Sequence, residues 1–80
     1  MTTKLYCEVV AGFMPTERIA RIQGADGNFE EVAVSVQSIT GNQLMASEIG
    51  RQEGRVLVEL PRESASGRWR MWVKESSIGG

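Results

Sequence analysis

The sequence predicts an all-β fold, and two observations lead to this prediction. Turn-forming residues such as glycine, proline, aspartate and asparagine recur at short intervals along the chain. The segments between them are short and rich in valine, isoleucine, threonine and aromatic residues, which favour strands. This rhythm is typical of a small SH3-like barrel of about five to six antiparallel strands, which we expect to form one domain over residues 1–80. A barrel of the oligonucleotide-binding (OB) type and a small β-sandwich with one short helix are the alternatives.

The first half of the chain contains one weak strand signal and one predicted hairpin. Residues 5–11 alternate only weakly between apolar and polar side chains, so their inward face stays open. Residues 18–23 and 29–36 flank Asp26-Gly27-Asn28, a turn composition suited to positive φ, and therefore predict a hairpin. The register that gathers the apolar side chains on one face is the preferred one. In this register Ala25 pairs with Phe29, Ile22 with Val32 and Ala20 with Val34 across the two strands, and Arg21 lies diagonal to Glu31.

Two segments carry both strand and helix signals. Residues 16–23 start with a possible capping threonine, place two isoleucines three positions apart and are followed by a glycine. Isolated helices of this length are marginal, so we favour a strand there. Residues 42–49 show the same pattern, and for them the sequence leaves helix and strand open.

Residues 55–60 and 68–74 are the clearest strands, because apolar and polar residues alternate with a period of two in both. The apolar triplets are Val56, Val58 and Leu60 in the first strand and Trp69, Met71 and Val73 in the second. Pairing Leu60 with Trp69 brings both triplets to one face and sets Glu59 opposite Arg70. We therefore expect Trp69 to lie in the core, where truncation to alanine would cost roughly 3–5 kcal/mol. The residues 61–67 are predicted to form an exposed polar loop, and Ser76-Ser77-Ile78 a short turn that returns Ile78 to the barrel.

The second tryptophan, Trp72, is predicted to point away from the core, opposite Leu57. Its face carries cationic side chains, so these residues together form a candidate binding strip. We name this set the Trp72 strip, and its members are Leu57, Trp72, Arg55, Arg68, Arg70 and Lys74. Three interpretations are open for it. In the first, the indole covers Leu57 as part of a minor second core, or itself lies under a terminal segment. In the second, the strip self-associates. In the third, it is a recognition surface where a ligand stacks on the indole while the cations hold phosphate or acidic groups.

Charge and residue content exclude several functional classes. The net charge of −1 argues against a dedicated binder of duplex DNA. The charge is uneven, because residues 1–50 carry three basic and six acidic side chains, whereas residues 51–80 carry six basic and four acidic ones. Histidine is absent and Cys7, expected to be a small buried residue, is the single cysteine, so one chain can form neither an ordinary zinc site nor an internal disulfide. We predict no metal, no cofactor and no enzymatic activity, since no catalytic constellation is recognisable.

These observations predict a non-enzymatic protein-interaction or self-association module that uses the Trp72 strip. The expected ligand is a protein partner or a second copy of the chain. Single-stranded nucleic acid is the alternative, although recognition sheets usually offer several stacking residues and the strip has one. Salt dependence separates the two, because contacts to phosphate release counterions.

A carrier protein is the third functional interpretation, because Gly79-Gly80 resembles the Gly-Gly end of sulfur-carrier and ubiquitin-like proteins. The sequence lacks the substantial helix that follows the first hairpin in those proteins. We expect a cytoplasmic location, because a lone cysteine is typical of a reducing compartment. We expect no membrane association, because no apolar run approaches the length of a membrane span.

Overall fold

The computed structural model describes residues 1–79, and strands make up most of them. The strands are β1 (Thr2–Tyr6), β2 (Glu8–Ala11), β3 (Glu17–Gln23), β4 (Phe29–Ser35), β5 (Ile39–Thr40), β6 (Gln43–Gln52), β7 (Arg55–Glu59) and β8 (Arg70–Lys74). Two single 3₁₀ turns, Val36–Ser38 and Glu75–Ser77, complete the regular structure. The all-β prediction is confirmed.

The strands form two antiparallel sheets. The larger sheet has the order β1-β6-β7-β8, with the short β5 also paired to β6, and the smaller sheet has the order β2-β3-β4. Within residues 1–79 no strand of one sheet pairs with a strand of the other, so the expected barrel is not closed. The chain crosses between the sheets at Cys7, whose N–H donates to Asn42 O at 2.9 Å. This crossing divides residues 5–11 between two sheets, which explains their weak alternation and raises the strand count to eight.

One apolar core lies between the two sheets and takes side chains from both. Its buried members are Leu5, Ala20, Ile22, Val32, Val34, Leu44, Ala46, Val56, Val58, Leu60, Met71 and Val73. Cys7, Ile39 and Ile78 are partly buried against it. Burying a valine or leucine side chain stabilises the fold by roughly 1.5–3 kcal/mol, so this cluster is the main favourable term in folding.

The β3–β4 hairpin has the predicted faces but not the predicted register. Ala20 pairs with Val32 and Arg21 lies directly opposite Glu31, two residues away from the expected pairing. The loop is the cause, because Gly24 N–H bonds Asn28 O at 2.7 Å and closes a three-residue loop with Gly27 at φ 90°. A shift by two residues preserves the alternation of faces, so the apolar side chains still reach the core.

Both ambiguous segments are strands. Residues 16–23 contribute β3, which confirms the strand prediction, and residues 42–49 contribute most of β6. Strand β6 is central in the larger sheet and pairs with β1, β5 and β7, so its backbone groups are satisfied by neighbours that a short helix would lack. It turns into β7 through Glu53 and Gly54, both at positive φ (51° and 77°), as a two-residue hairpin turn requires.

The β7–β8 hairpin has the predicted register. Leu57 pairs with Trp72 and Glu59 with Arg70, and the Arg70 Nε lies 3.1 Å from the Glu59 Oε2. Beyond the strand ends, Leu60 N–H donates to Trp69 O at 2.8 Å.

The prediction that Trp69 lies in the core is wrong, because its side chain is 54% exposed. The backbone bends at Trp69, one residue before β8 begins, so the strict alternation of the strand does not extend to it. The indole instead lines a shallow groove on the larger sheet with Met45, Leu60 and Pro61.

The C-terminal segment returns to the core as expected. Ile78 forms a β-bridge with Leu5, and Gly79 N–H donates to Lys4 O at 2.9 Å. Gly79 is buried, and a Cβ there would collide with Tyr6. Of the Gly-Gly pair considered as a carrier tail, Gly80 lies outside the described residues.

The placement of Trp69 leads to a prediction about stability. Trp69→Ala should lower the free energy of unfolding by well under the roughly 3–5 kcal/mol of a buried aromatic truncation, because about half of the side chain is already in water. Leu44→Ala, at a position with 0% exposure, should cost about 2–5 kcal/mol. Urea unfolding followed by circular dichroism measures both, and equal losses in the two variants would contradict the placement of Trp69.

Candidate interaction site

The Trp72 strip occupies the outer face of the β7–β8 hairpin. Alternation in both strands turns Val56, Val58, Met71 and Val73 into the core, so the intervening side chains face outward. Five members of the strip, Arg55, Leu57, Arg70, Trp72 and Lys74, are among these outward-facing residues, and Glu59 is the sixth such residue. Arg68, the sixth member, is exposed in the segment before β8.

The apolar centre of the strip is the cross-strand pair of Leu57 and Trp72. Trp72 is 37% exposed, so its indole is partly covered but still reaches solvent. Its carbonyl oxygen accepts a hydrogen bond from Ala25 N–H at 2.9 Å, which ties the β3–β4 turn to β8. A groove of about 220 Å³ lies between that turn and β8, and Arg55 and Arg68 line it together with Trp72.

Gly50 on β6 adds a notch beside Leu57 that the sequence analysis did not find. Gly50 is the β6 partner of Leu57, and a Cβ at this position would lie 3.8 Å from the Leu57 Cβ. Gly50 therefore places no side chain of its own on this flank of Leu57, which is partly buried. In the sequence, the only sign of this notch was a glycine within a strand-like run. Such a glycine also fits a β-bulge, and the register between β6 and β7 does shift between Glu48 and Gly50.

The four cations of the strip differ in their partners. The Arg68 Nε lies 3.4 Å from the Glu30 Oε2, and Arg70 is paired with Glu59. Arg55 and Lys74 face each other across the β7–β8 ladder, and neither forms an ion pair within residues 1–79. Like charges directly opposite each other are destabilising, so this end of the strip offers an uncompensated positive site.

Glu30 anchors the loop that precedes β8. Its Oε1 accepts hydrogen bonds from the hydroxyls of Ser64 and Ser66, and its other oxygen faces Arg68. The buried Ser64 Oγ in turn accepts from Arg68 N–H at 3.1 Å, and Ala65 N–H donates to Glu31 O at 2.8 Å. The residues 61–67, expected to be an exposed polar loop, are therefore exposed except at Ser64 and fastened to β4. The Ser66 and Ser64 hydrogen bonds, followed by the Arg68 charge, hold the pKa of Glu30 below its usual range.

Cys7 has the environment of a structural residue. It is half-buried, its thiol lies 3.6 Å from Asn42 O, and burial raises its pKa above the ordinary value. A raised pKa lowers the thiolate fraction, and with it the nucleophilicity, at neutral pH. Among residues 1–79 no three His, Cys, Asp or Glu side chains are grouped to hold a metal ion.

Comparisons with protein-family models, with curated proteins and with solved structures find no match to this chain. The part of the chain that the structure describes contains no helix long and apolar enough to cross a membrane.

The Glu30 network leads to a prediction about the pH dependence of stability. Because the folded pKa of Glu30 is lowered, its ionised form stabilises the fold at neutral pH, and this contribution is lost as the pH falls through the folded pKa. Glu30→Gln should therefore lower the free energy of unfolding by about 1–2 kcal/mol at pH 7. The difference from the natural chain should shrink below the ordinary glutamate pKa of about 4.3.

Glu31→Gln is the matched control, since Glu31 is the neighbouring residue and makes an exposed ion pair with Arg21. It should change stability little at either pH, because exposed ion pairs contribute little. Denaturant unfolding of both variants between pH 3 and pH 7 gives the measurement. A Glu30→Gln loss that does not vary with pH would show that the carboxylate is not ionised in the fold.

Proposed function

We propose that this protein is a non-enzymatic interaction module whose Trp72 strip binds an acidic, apolar-anchored segment of a protein partner. The observation that carries the proposal is the position of Arg55 and Lys74, two cations without ion pairs in residues 1–79, next to the pair formed by the partly buried Leu57 and the exposed Trp72. In such an arrangement, burial of apolar side chains at the centre supplies the affinity for a partner, and the neighbouring unpaired charges orient that partner.

The strip offers a distinct position to each part of such a segment. An apolar side chain of the partner would enter the notch at Gly50 and contact Leu57 and Trp72. Carboxylates of the partner would lie over Arg55 and Lys74, which are each two residues away from Leu57 and Trp72 along their strands. Tryptophan and arginine are the residue types that most often contribute strongly to protein interfaces. Our proposal includes a cytoplasmic location, with which the single half-buried Cys7 is consistent.

Single-stranded nucleic acid is the second candidate, because an indole next to two cations can stack on a base while the cations contact phosphate. Two facts favour the protein partner over it. The ion pairs of Arg68 and Arg70 leave only Arg55 and Lys74 of the strip for phosphate, and Trp72 is its one stacking residue. A carrier role receives no support from Gly79, which is packed against β1.

Substitution of the two tryptophans tests the proposal. The probes are a short fluorescent peptide with one leucine among glutamates, the same peptide with lysines in place of glutamates, and a short oligothymidylate. We expect fluorescence anisotropy to detect binding of the acidic peptide, and Trp72→Ala to weaken it by about tenfold or more. The melting temperature of the Trp72→Ala variant should stay close to that of the natural chain, because Trp72 is outside the core.

Trp69→Ala is the matched control, since it removes the other exposed indole and should leave binding unchanged. Preferential binding of oligothymidylate with a steep loss in salt would favour the nucleic-acid function instead. A large loss of stability in Trp72→Ala would return the indole to a structural role.

A substitution at Gly50 tests the notch independently of any charge. Gly50 has no positive φ, and a Cβ there meets only the Leu57 Cβ at an ordinary contact distance. Gly50→Ile should therefore fold at least as well as the natural chain, because β-branched residues favour strands. It should block the acidic peptide by covering Leu57. Unchanged peptide affinity in a folded Gly50→Ile variant would exclude the notch as the anchor site.

A further inference from the structure

The two sheets separate charge of opposite sign. The segment that forms the smaller sheet, residues 8–35, carries five acidic and two basic side chains, for a net charge of −3. The β7–β8 hairpin, residues 55–74, carries five basic and two acidic side chains, for a net charge of +3. One small domain therefore carries two segments of opposite net charge.

The outer face of the smaller sheet carries a row of three charged residues in cross-strand register. Glu8, Arg21 and Glu31 are neighbours on β2, β3 and β4. Arg21 contacts the Glu8 carboxylate at 3.1 Å and the Glu31 carboxylate at 3.3 Å. One guanidinium lies between two carboxylates, so the row keeps a net negative charge. Both carboxylates are more than half exposed, which leaves oxygens free for a second cation.

An exposed aromatic ring stands beside this row. Phe29 precedes Glu31 by two residues on β4, so both side chains lie on the same face. The ring is 47% exposed, and the Arg21 guanidinium lies 4.6 Å from its centroid. The face thus combines the two features that the Trp72 strip requires of its ligand, an apolar anchor and neighbouring carboxylates.

The spacing of these features matches between the two faces. On the strip, Lys74 follows Trp72 by two residues, and on the smaller sheet Glu31 follows Phe29 by two residues. Two residues of a strand span roughly 6.6–6.8 Å, so a ring seated on the Leu57–Trp72 pair puts the carboxylate within reach of Lys74 and Arg55.

We infer that the partner of the Trp72 strip is a second copy of this chain, which docks through the outer face of its smaller sheet. The inference depends on the proposed function, because it uses the same strip, and it adds the identity of the occupant. The contact is head-to-tail, since the two faces differ. Such a contact uses one face of each kind per copy, and repetition gives an open chain or a closed ring.

Charge reversal on each face gives the test. Sedimentation velocity of the natural chain over a range of concentrations should show reversible self-association that weakens as salt is raised. The double variant Arg55→Glu/Lys74→Glu and the double variant Glu8→Lys/Glu31→Lys should each raise the dissociation constant by about tenfold or more, because like charges then face each other. An equimolar mixture of the two variants should associate again, because the reversed faces are complementary.

The test also needs one control variant and one substitute variant. Lys4→Glu/Arg62→Glu changes the net charge as much as the Arg55/Lys74 variant but at positions that belong neither to the Trp72 strip nor to the smaller sheet, and it should leave self-association intact. Glu8→Gln/Glu31→Gln replaces the lysine variant if the extra cations around Arg21 prevent folding, and it should also weaken association.

A natural chain that stays monomeric at all concentrations would overturn the second copy as occupant, and so would association that survives in both Glu8/Glu31 variants. The acidic peptide distinguishes this failure from failure of the proposed function. Peptide binding that persists in a monomeric natural chain and is lost in Arg55→Glu/Lys74→Glu leaves the strip as a protein-binding site with another partner. Absence of both peptide binding and self-association overturns both proposals.

Discussion

The two-residue period of β7 and β8 is the constraint on which the candidate site depends. Val58 and Met71 are buried in the shared core. Their strand neighbours Leu57 and Trp72 must therefore face outward, because successive side chains of a strand point to opposite faces. The apolar pair is therefore presented to solvent by the same alternation that builds the core. Rotating it inward would expose the buried valines, at roughly 1.5–3 kcal/mol for each.

The smaller sheet defines the limits of the site and stiffens it. Its β3–β4 turn is bonded to the backbone of Trp72 through Ala25, and Glu30 holds the loop before β8. These contacts also pair Arg68 within the chain, whereas Arg55 and Lys74 form no ion pair within residues 1–79. The same sheet presents Glu8, Glu31 and the exposed Phe29 on its outer face, which is the face that we propose as the partner of the Trp72 strip.

Most of the fold and part of the site were predictable from the sequence, and the errors have physical causes. The β7–β8 register followed from two aligned apolar triplets and one charge pair. A slip of one residue would have put the triplets on opposite faces, and a slip of two would have separated Glu59 from Arg70. The β3–β4 register was wrong by two residues, since the three-residue loop is Ala25-Asp26-Gly27, closed by Gly24 and Asn28, and not Asp26-Gly27-Asn28. The core assignment of Trp69 failed because alternation identifies a face only while the backbone stays extended, and the chain bends there.

The sequence by itself determined the all-β class, the inward faces of β3, β4, β7 and β8 and the outward position of Trp72, because these depend on periodicity within a few residues. Only the tertiary structure decided which cations of the strip are free, since Glu30 reaches Arg68 from another sheet. Only the tertiary structure also brought Gly50 next to Leu57. Contacts of this kind join residues that are distant along the chain, and they depend on how the loops close and how the sheets pack, which local alternation does not encode.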